Sequence, residues 1–196
     1  MKRPLWSIVC CLCTVPAFAS ISADDRSQKL KRYYNKNFDF CVEFPPNWTY
    51  QESFTRNGAT FAPSDRRAFS LPPQISVGAH IDQPSENEDR PQTLDENVQS
   101  GIDSLRRYGL AEDLQITRQE DLVIQGLPAR MVALQYRDPK SNKQWFSKDM
   151  NVIDQRHIVY FVELKCHLQD AGSLEPIFDS LVHSFRLQCR GKSKAR

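Results

Sequence analysis

The chain has 196 residues, a length typical of one domain. Its 26 basic and 24 acidic residues give a formal net charge of +2. Removing residues 1–19 takes away Lys2 and Arg3 and leaves 24 residues of each sign. This balance argues against nucleic acid as a partner, since nucleic-acid binding needs a basic surface.

The N-terminal segment resembles a secretory signal. Lys2 and Arg3 precede a short apolar run, and Ala17-Phe18-Ala19 forms a small-x-small cleavage site. The run is shorter than the ~20 residues of a membrane span. We therefore expect a signal peptide over 1–19 and an exported protein, periplasmic or extracellular, with a retained anchor as the alternative.

The mature chain begins with a polar lead-in over 20–36, followed by an alternating strand over 37–44. Phe38, Phe40, Val42 and Phe44 share one face of this strand, and Trp48 follows two prolines. We expect the four aromatic residues, Phe38, Phe40, Phe44 and Trp48, to anchor the core. A second strand is predicted over 49–54, and Asn57-Gly58 signals a hairpin into a third.

Residues 75–81 alternate again and predict a strand, which an exposed loop over 82–92 follows. A helix should begin at Thr93, because Thr93 and Glu96 match a capping box. Gly109 should end this helix in a left-handed conformation. Residues 113–124 are predicted to be extended, with a turn at Gln125-Gly126.

Three long strands are predicted over 129–136, 144–153 and 158–166, joined by connectors of hairpin length. A second helix should begin near Ser173, with Pro176 in its first turn. Phe178 and Phe185 lie on its apolar stripe and are expected core anchors. Residues 37–189 are thus predicted to form one antiparallel domain, with a disordered basic tail over 190–196.

The order and spacing of five segments resemble the PsbP family, which includes photosystem II subunits and many exported bacterial domains of unassigned function. The matching segments are Phe38-x-Phe40-x-Val42-x-Phe44-Pro-x-x-Trp48, the helix over 93–108, Gly126-Leu127-Pro128-Ala129, Ile158-Val159-Tyr160-Phe161-Val162 and Ser184-Phe185-Arg186. The resemblance implies an α+β fold in which an antiparallel β-sheet is flanked by helices, an α/β/α sandwich.

The resemblance also implies binding to a larger protein and no catalysis, as in photosystem accessory subunits, a Ran-binding nuclear protein and secretion chaperones. It transfers no functional residue. We therefore expect a non-catalytic accessory protein whose partner is another envelope protein, without cofactor, metal or nucleic acid. One alternative is a small-ligand pocket between sheet and helix.

The other alternative is an envelope enzyme that uses the thiol of Cys41 or Cys166 with a histidine. The mature chain keeps three cysteines, so export makes one disulfide plausible and leaves one cysteine over. Cys166–Cys189 is the preferred pair, and closing its loop would stabilise the fold by ~3 kcal/mol on the chain-entropy model. Cys41 is then a free thiol or the alternative partner of Cys189.

Metal sites and other chemistry receive little support from the residue pattern. Cys166 and His167 are neighbours, so they point to opposite faces of a strand. The remaining histidines occur singly, and the acidic run over 86–89 lacks the spacing of a calcium loop.

Overall fold

The computed structural model describes residues 29–65, 73–82 and 92–189. The predicted signal peptide, the acidic run over 86–89 and the basic tail lie outside these residues. The described part contains ten strands, two α-helices and a short 3-10 helix at Leu168–Asp170.

The first half of the chain supplies five short strands and the first helix. Strands β1 to β5 and helix α1 have these bounds: Lys31–Asn35, Phe40–Phe44, Trp48–Glu52, Gly58–Pro63, Gln74–Ile81 and Leu94–Arg107. The second half supplies β6 to β9, then α2 and β10: Glu112–Ile124, Leu127–Asp138, Lys143–Ile153, Ile158–His167, Ala171–Ser184 and Arg186–Leu187.

The strands form two antiparallel sheets. The larger sheet has seven strands in the order β3-β4-β5-β9-β8-β7-β6, and the smaller has the order β1-β2-β10. Helix α1 contacts β7 and β8, whereas α2 contacts β9 and β2. The larger sheet therefore has a helix on each face, and the predicted α/β/α sandwich with an antiparallel sheet is confirmed.

Two apolar clusters follow from the alternation of side chains along the strands. The main cluster fills the space between the larger sheet, α2 and the smaller sheet. Within it, Phe40 stacks on Phe185 at 5.7 Å between ring centroids. The second cluster joins Ile102 of α1 to Val132 and Leu134 of β7.

The predicted core anchors lie in the main cluster. Phe40, Phe44, Trp48, Phe178 and Phe185 are each at most 3% exposed. Phe38 is only partly buried and packs against the cluster from outside β2.

The start of the domain differs from the sequence prediction in two respects. Strand β1 lies inside the segment predicted as a polar lead-in, so the folded unit begins before residue 37. Strand β2 begins at Phe40 because the chain turns before it, with a positive φ of 52° at Asp39. The polar appearance of β1 arises because only Tyr33 and Asn35 of that strand are buried.

The hairpin between β3 and β4 lies where Asn57-Gly58 predicted it, but the glycine is needed for another reason. The positive φ in this turn is 55°, at Arg56. Gly58 opens β4, where an added Cβ would lie 2.1 Å from the Val77 carbonyl oxygen of β5. The glycine therefore permits close approach of two strands.

The first helix matches its sequence signals. The Glu96 amide donates to Thr93 Oγ1 at 3.3 Å, and the Thr93 amide donates to Glu96 Oε2 at 2.8 Å. Gly109 follows the helix with a φ of 59°. The capping box and the left-handed stop are therefore confirmed.

The second helix begins earlier than predicted. Ala171 opens α2 directly after the 3-10 helix, and Ser173 lies inside its first turn. The Ser173 hydroxyl donates to the Asp170 carbonyl at 2.9 Å, so Ser173 is not the cap. Pro176 consequently falls in the second turn, where its missing amide would have bonded to Gly172.

Candidate functional site

A cavity of about 410 Å³ lies between helix α1 and the larger sheet. Helix α1 packs against β7 through Ile102 and also contacts β8, and β9 is the next strand of the sheet. Helix α1 lines the cavity with both small or polar and apolar residues: Asn97, Ser100, Gly101 and Ser104, and Val98, Ile102 and Leu105.

The floor of this cavity is polar because successive side chains of β8 and β9 point to opposite faces of the sheet, and those on the α1 side are mostly polar. On β8, Ser147, Asp149 and Asn151 point toward α1, while Phe146, Met150 and Val152 enter the main cluster. On β9, Glu163 and Lys165 point toward α1 in the same way. Two carboxylates are therefore placed on a face that a helix covers.

Asp149 and Glu163 are directly opposed across β8 and β9. Burial of both side chains raises their pKa values, most strongly that of Asp149, and the charge of Glu163 raises the Asp149 pKa further. Lys165 lowers both pKa values, and a hydrogen bond from the Ser147 hydroxyl at 2.9 Å lowers that of Asp149. The net effect is to favour protonated carboxyl groups.

The contribution of this pair to stability should decrease as the pH rises above about 4, because carboxyl groups with raised pKa values bind more protons in the folded state. The contribution of the pair is complete below the pKa values of the unfolded chain. It is lost as the pH rises through the pKa values of the folded chain. Asp149→Asn with Glu163→Gln should therefore flatten this dependence, as measured by urea unfolding at several pH values. An unchanged slope would show that the pair is not responsible.

The structure corrects the predicted disulfide pairing. Cys189 is bonded to Cys41, with 6.1 Å between their Cα atoms, and Cys166 is free. The preferred pair Cys166–Cys189 is wrong because Cys166 points from β9 into the main cluster, whereas Cys189 follows β10, the neighbour of β2. The alternative partner, Cys41, is the correct one.

Neither cysteine offers an accessible thiolate. Cys41 is oxidised, and Cys166 is fully buried. Burial raises the pKa of the Cys166 thiol to about 12, and the charges of Asp170 and Glu175 add to the shift. His167 lies on the opposite face of β9, where its ring is 4.8 Å from that of Trp145. The geometry of these cysteines therefore does not supply the thiol–histidine nucleophile that the enzyme alternative requires.

The histidines remain separate. His80 lines the α1 cavity near Phe161, with 6.3 Å between ring centroids, while His157 and His183 lie at other places in the fold. Within residues 29–65, 73–82 and 92–189, no three His, Cys, Asp or Glu side chains are arranged to hold a metal ion.

A second feature that the sequence did not indicate is the tip of the β3–β4 hairpin. Phe54 is completely exposed there, with a relative exposure of 103%. The turn below it is fixed by hydrogen bonds from Ser53 Oγ and Thr55 Oγ1 to Asn57 Oδ1, at 2.6 and 2.7 Å. Asn35 Nδ2 of β1 donates to the Arg56 carbonyl at 3.1 Å. Phe54 is thus presented on a hydrogen-bonded turn.

No helix in the described part of the chain combines the length and apolar character needed to cross a membrane.

No protein-family model matches the chain, and no curated protein matches it by sequence. Solved structures are similar in fold. The solution structure of cyanobacterial PsbP (CyanoP) from Synechocystis sp. PCC 6803 has a TM-score of 0.55 at 12% identity. The match covers 81% of this chain and 92% of that one.

Two further solved structures share the fold. LpqN, involved in cell envelope biogenesis of Mycobacterium tuberculosis, has a TM-score of 0.53 at 10% identity, over 85% of this chain and 96% of that one. A protein from Bacteroides thetaiotaomicron has a TM-score of 0.52 at 10% identity, over 83% of this chain and half of its own. The fold is therefore PsbP-like, and at these identities the likeness concerns the fold alone.

Proposed function

We propose that this chain is a non-catalytic exported protein that binds and assists a larger protein assembly of the cell envelope. The exposed Phe54 on its hydrogen-bonded turn carries the proposal. A large aromatic ring in water is unfavourable, and rigid aromatic side chains are frequent anchors of protein interfaces. A fixed turn reduces the conformational entropy that the chain would lose on binding.

Two observations support the exported location. The Cys41–Cys189 disulfide is typical of proteins that fold in an oxidising compartment, such as the periplasm. Among proteins with the same fold, LpqN is described as involved in cell envelope biogenesis. The buried state of Cys166 also argues against the thiol-dependent enzyme, because a thiolate nucleophile needs exposure and a low pKa.

Phe54 is expected to be an anchor of the interface with the partner. Phe54→Ser should weaken partner binding by about 2 kcal/mol, the value for a buried aromatic anchor. It should change the free energy of unfolding by no more than about 0.5 kcal/mol, because the ring has no packing to lose. Val123→Ser is the matched control, since Val123 is 72% exposed on β6, at the opposite edge of the sheet.

The test uses a photo-crosslinking amino acid at position 54 or 123 of the full chain, in intact cells of the native host. Adducts with one envelope protein should form from position 54 and not from position 123. The binding of that protein is then measured with purified Phe54→Ser and Val123→Ser chains. Equal crosslinking from both positions, or unchanged binding by Phe54→Ser, would contradict the proposal.

The binding of a small ligand between sheet and helix is a second candidate function, and the cavity under α1 favours it. The two carboxylates on the cavity floor suit a ligand with a cationic head.

A further inference from the structure

We propose that the cavity under α1 binds the ammonium group of a small organic cation between Asp149 and Glu163. This site is separate from Phe54; it rests on the second candidate function above and is independent of the proposed binding to an envelope protein. The two carboxylates belong to adjacent strands in direct opposition, so their Cβ atoms are about 5 Å apart. An ammonium group placed between them could donate a hydrogen bond to each.

The two carboxylates lack sufficient partners within the described residues. Asp149 accepts one hydrogen bond from the Ser147 hydroxyl, and Glu163, half-buried on the cavity floor, accepts none from these residues. Lys165 forms an ion pair with neither, and its ammonium lies 5.2 Å from the centre of the Trp145 ring. Both carboxylates are half-buried and open to the cavity. Because carboxylates in partly enclosed sites are commonly hydrogen-bonded or paired, a cationic donor in the cavity would complete the partners of Glu163 and Asp149.

The charge of the floor indicates a monovalent cation. When Asp149 and Glu163 are both ionised, Lys165 balances one of their two charges, and one positive charge is still required. Divalent metal ions prefer six or more oxygen ligands, several of them from carboxylates. Two acidic side chains on adjacent strands are a poor match for such an ion.

The size and walls of the cavity indicate that the cation is organic. A volume of 410 Å³ lies within the range of small-molecule sites and far exceeds that of a single ion. The walls combine a charged floor with apolar surface, which suits a ligand with an ammonium head and an apolar body. The apolar and aromatic wall residues are Val98, Ile102, Leu105, Val132, Leu134, Tyr136 and Phe161.

Binding should release protons and strengthen as the pH rises above the ordinary carboxyl range, because the raised pKa values favour protonated carboxyl groups and the cation selects the ionised ones. Three other titratable groups face the pair within the cavity. Lys165 is on β9, His80 is on β5, and Tyr136 on β7 has a pKa raised by burial. The side chains of α1 that line the cavity carry no charge.

The test is isothermal titration calorimetry on the full chain at about pH 8, with phenethylammonium as the probe. The neutral isostere 2-phenylethanol and the anion phenylacetate are controls of similar shape. The ammonium should bind at least about tenfold more tightly than either control. Glu163→Gln and Asp149→Asn should each reduce the ammonium affinity at least about tenfold, whereas Glu43→Gln, an exposed carboxylate on β2, should not.

Four results would overturn the proposal: no binding of the ammonium, equal binding of the alcohol, retention of affinity in both carboxylate variants, or preferential binding of Ca²⁺. Far-ultraviolet circular dichroism verifies that each variant is folded. If a variant fails to fold, the comparison of the three phenethyl probes on the unaltered chain still decides the outcome. Repeating the titration at about pH 6 in two buffers with different ionisation enthalpies should reveal proton release.

Discussion

Neutralising both carboxylates that pair with Lys148, by Glu175→Gln with Asp179→Asn, is expected to destabilise the fold by about 3 kcal/mol. Lys148 is 1% exposed on β8, and its ammonium lies 2.8 Å from Asp179 Oδ1 and 3.2 Å from Glu175 Oε2 of α2. The Phe178 ring, 5.3 Å away, cannot replace two carboxylates. Removing them leaves a buried cation without a counter-charge.

The magnitude should lie at the lower end of the range for broken buried pairs, because the Asp179 side chain is 55% exposed and water can approach the site. Urea unfolding measures the effect. Lys148→Met provides the control, since methionine keeps an unbranched chain of similar length. Lys148→Met alone should stay within about 1.5 kcal/mol of the unaltered chain.

A triple variant tests whether the buried charge causes the loss of stability. Adding Lys148→Met to the two neutralised carboxylates should recover most of the lost stability, because no buried charge is left. If the double variant loses less than about 1 kcal/mol, Lys148 is better solvated than its burial indicates. If the triple variant does not recover, the loss belongs to the helix and not to the ion pair.

The sequence predicts those elements of this fold that a single local signal can define. Helix α1 has a capping box and a left-handed glycine, and both are observed. The hairpins from β7 to β9 have short connectors and pair as neighbours. Each of these signals involves residues that are close in the sequence, and this explains their success.

Elements whose stability depends on distant residues were missed. Strand β1 is polar along most of its length and exists because it pairs with β2 and buries Tyr33. Strand β10 has two residues and pairs with β2 across most of the chain. The cap of α2 was misplaced because a 3-10 helix, which has no sequence signal of comparable strength, precedes that helix.

The candidate site was missed for a related reason. Alternation along β8 and β9 could show that Asp149 and Glu163 each lie on the face opposite the apolar core. The sequence does not specify the register that opposes them or the placement of α1 over them. A carboxylate on an alternating strand ordinarily indicates a solvated face, and only tertiary structure shows that a helix covers this one.

The pairing of cysteines depends on distant contacts as well. From the sequence, Cys166–Cys189 is the preferred pair and Cys41–Cys189 the alternative, and the direction of a side chain on β9 decides between them. Cys166 alternates with Lys165 and His167 and therefore enters the core with Leu164. Cys189 reaches Cys41 because β10 runs beside β2, and the Gln188 amide donates to the Asp39 carbonyl at 2.7 Å.

The corrected pairing changes the expected effect of reduction. The Cys41–Cys189 bond has a sequence separation of 148, so it closes a loop about six times longer than the one first considered. On the chain-entropy model, such a loop contributes about 5 kcal/mol, and measured losses for native disulfides are about 2–5 kcal/mol. We expect Cys41→Ser with Cys189→Ser to destabilise the fold by about 3–5 kcal/mol.

This loss should lower the melting temperature by about 10 °C for a domain of this size, as measured by calorimetry. A reductant should lower the melting temperature of the unaltered chain by a similar amount and leave that of the double variant unchanged. Cys166→Ala is the matched control: it creates a small cavity, but its melting temperature should remain sensitive to the reductant. Equal responses of the two variants to the reductant would exclude the Cys41–Cys189 bond as the cause.

The double variant should lose protection from hydrogen exchange first at β10, because this strand has only two paired residues to hold it against β2 once the covalent bond is absent.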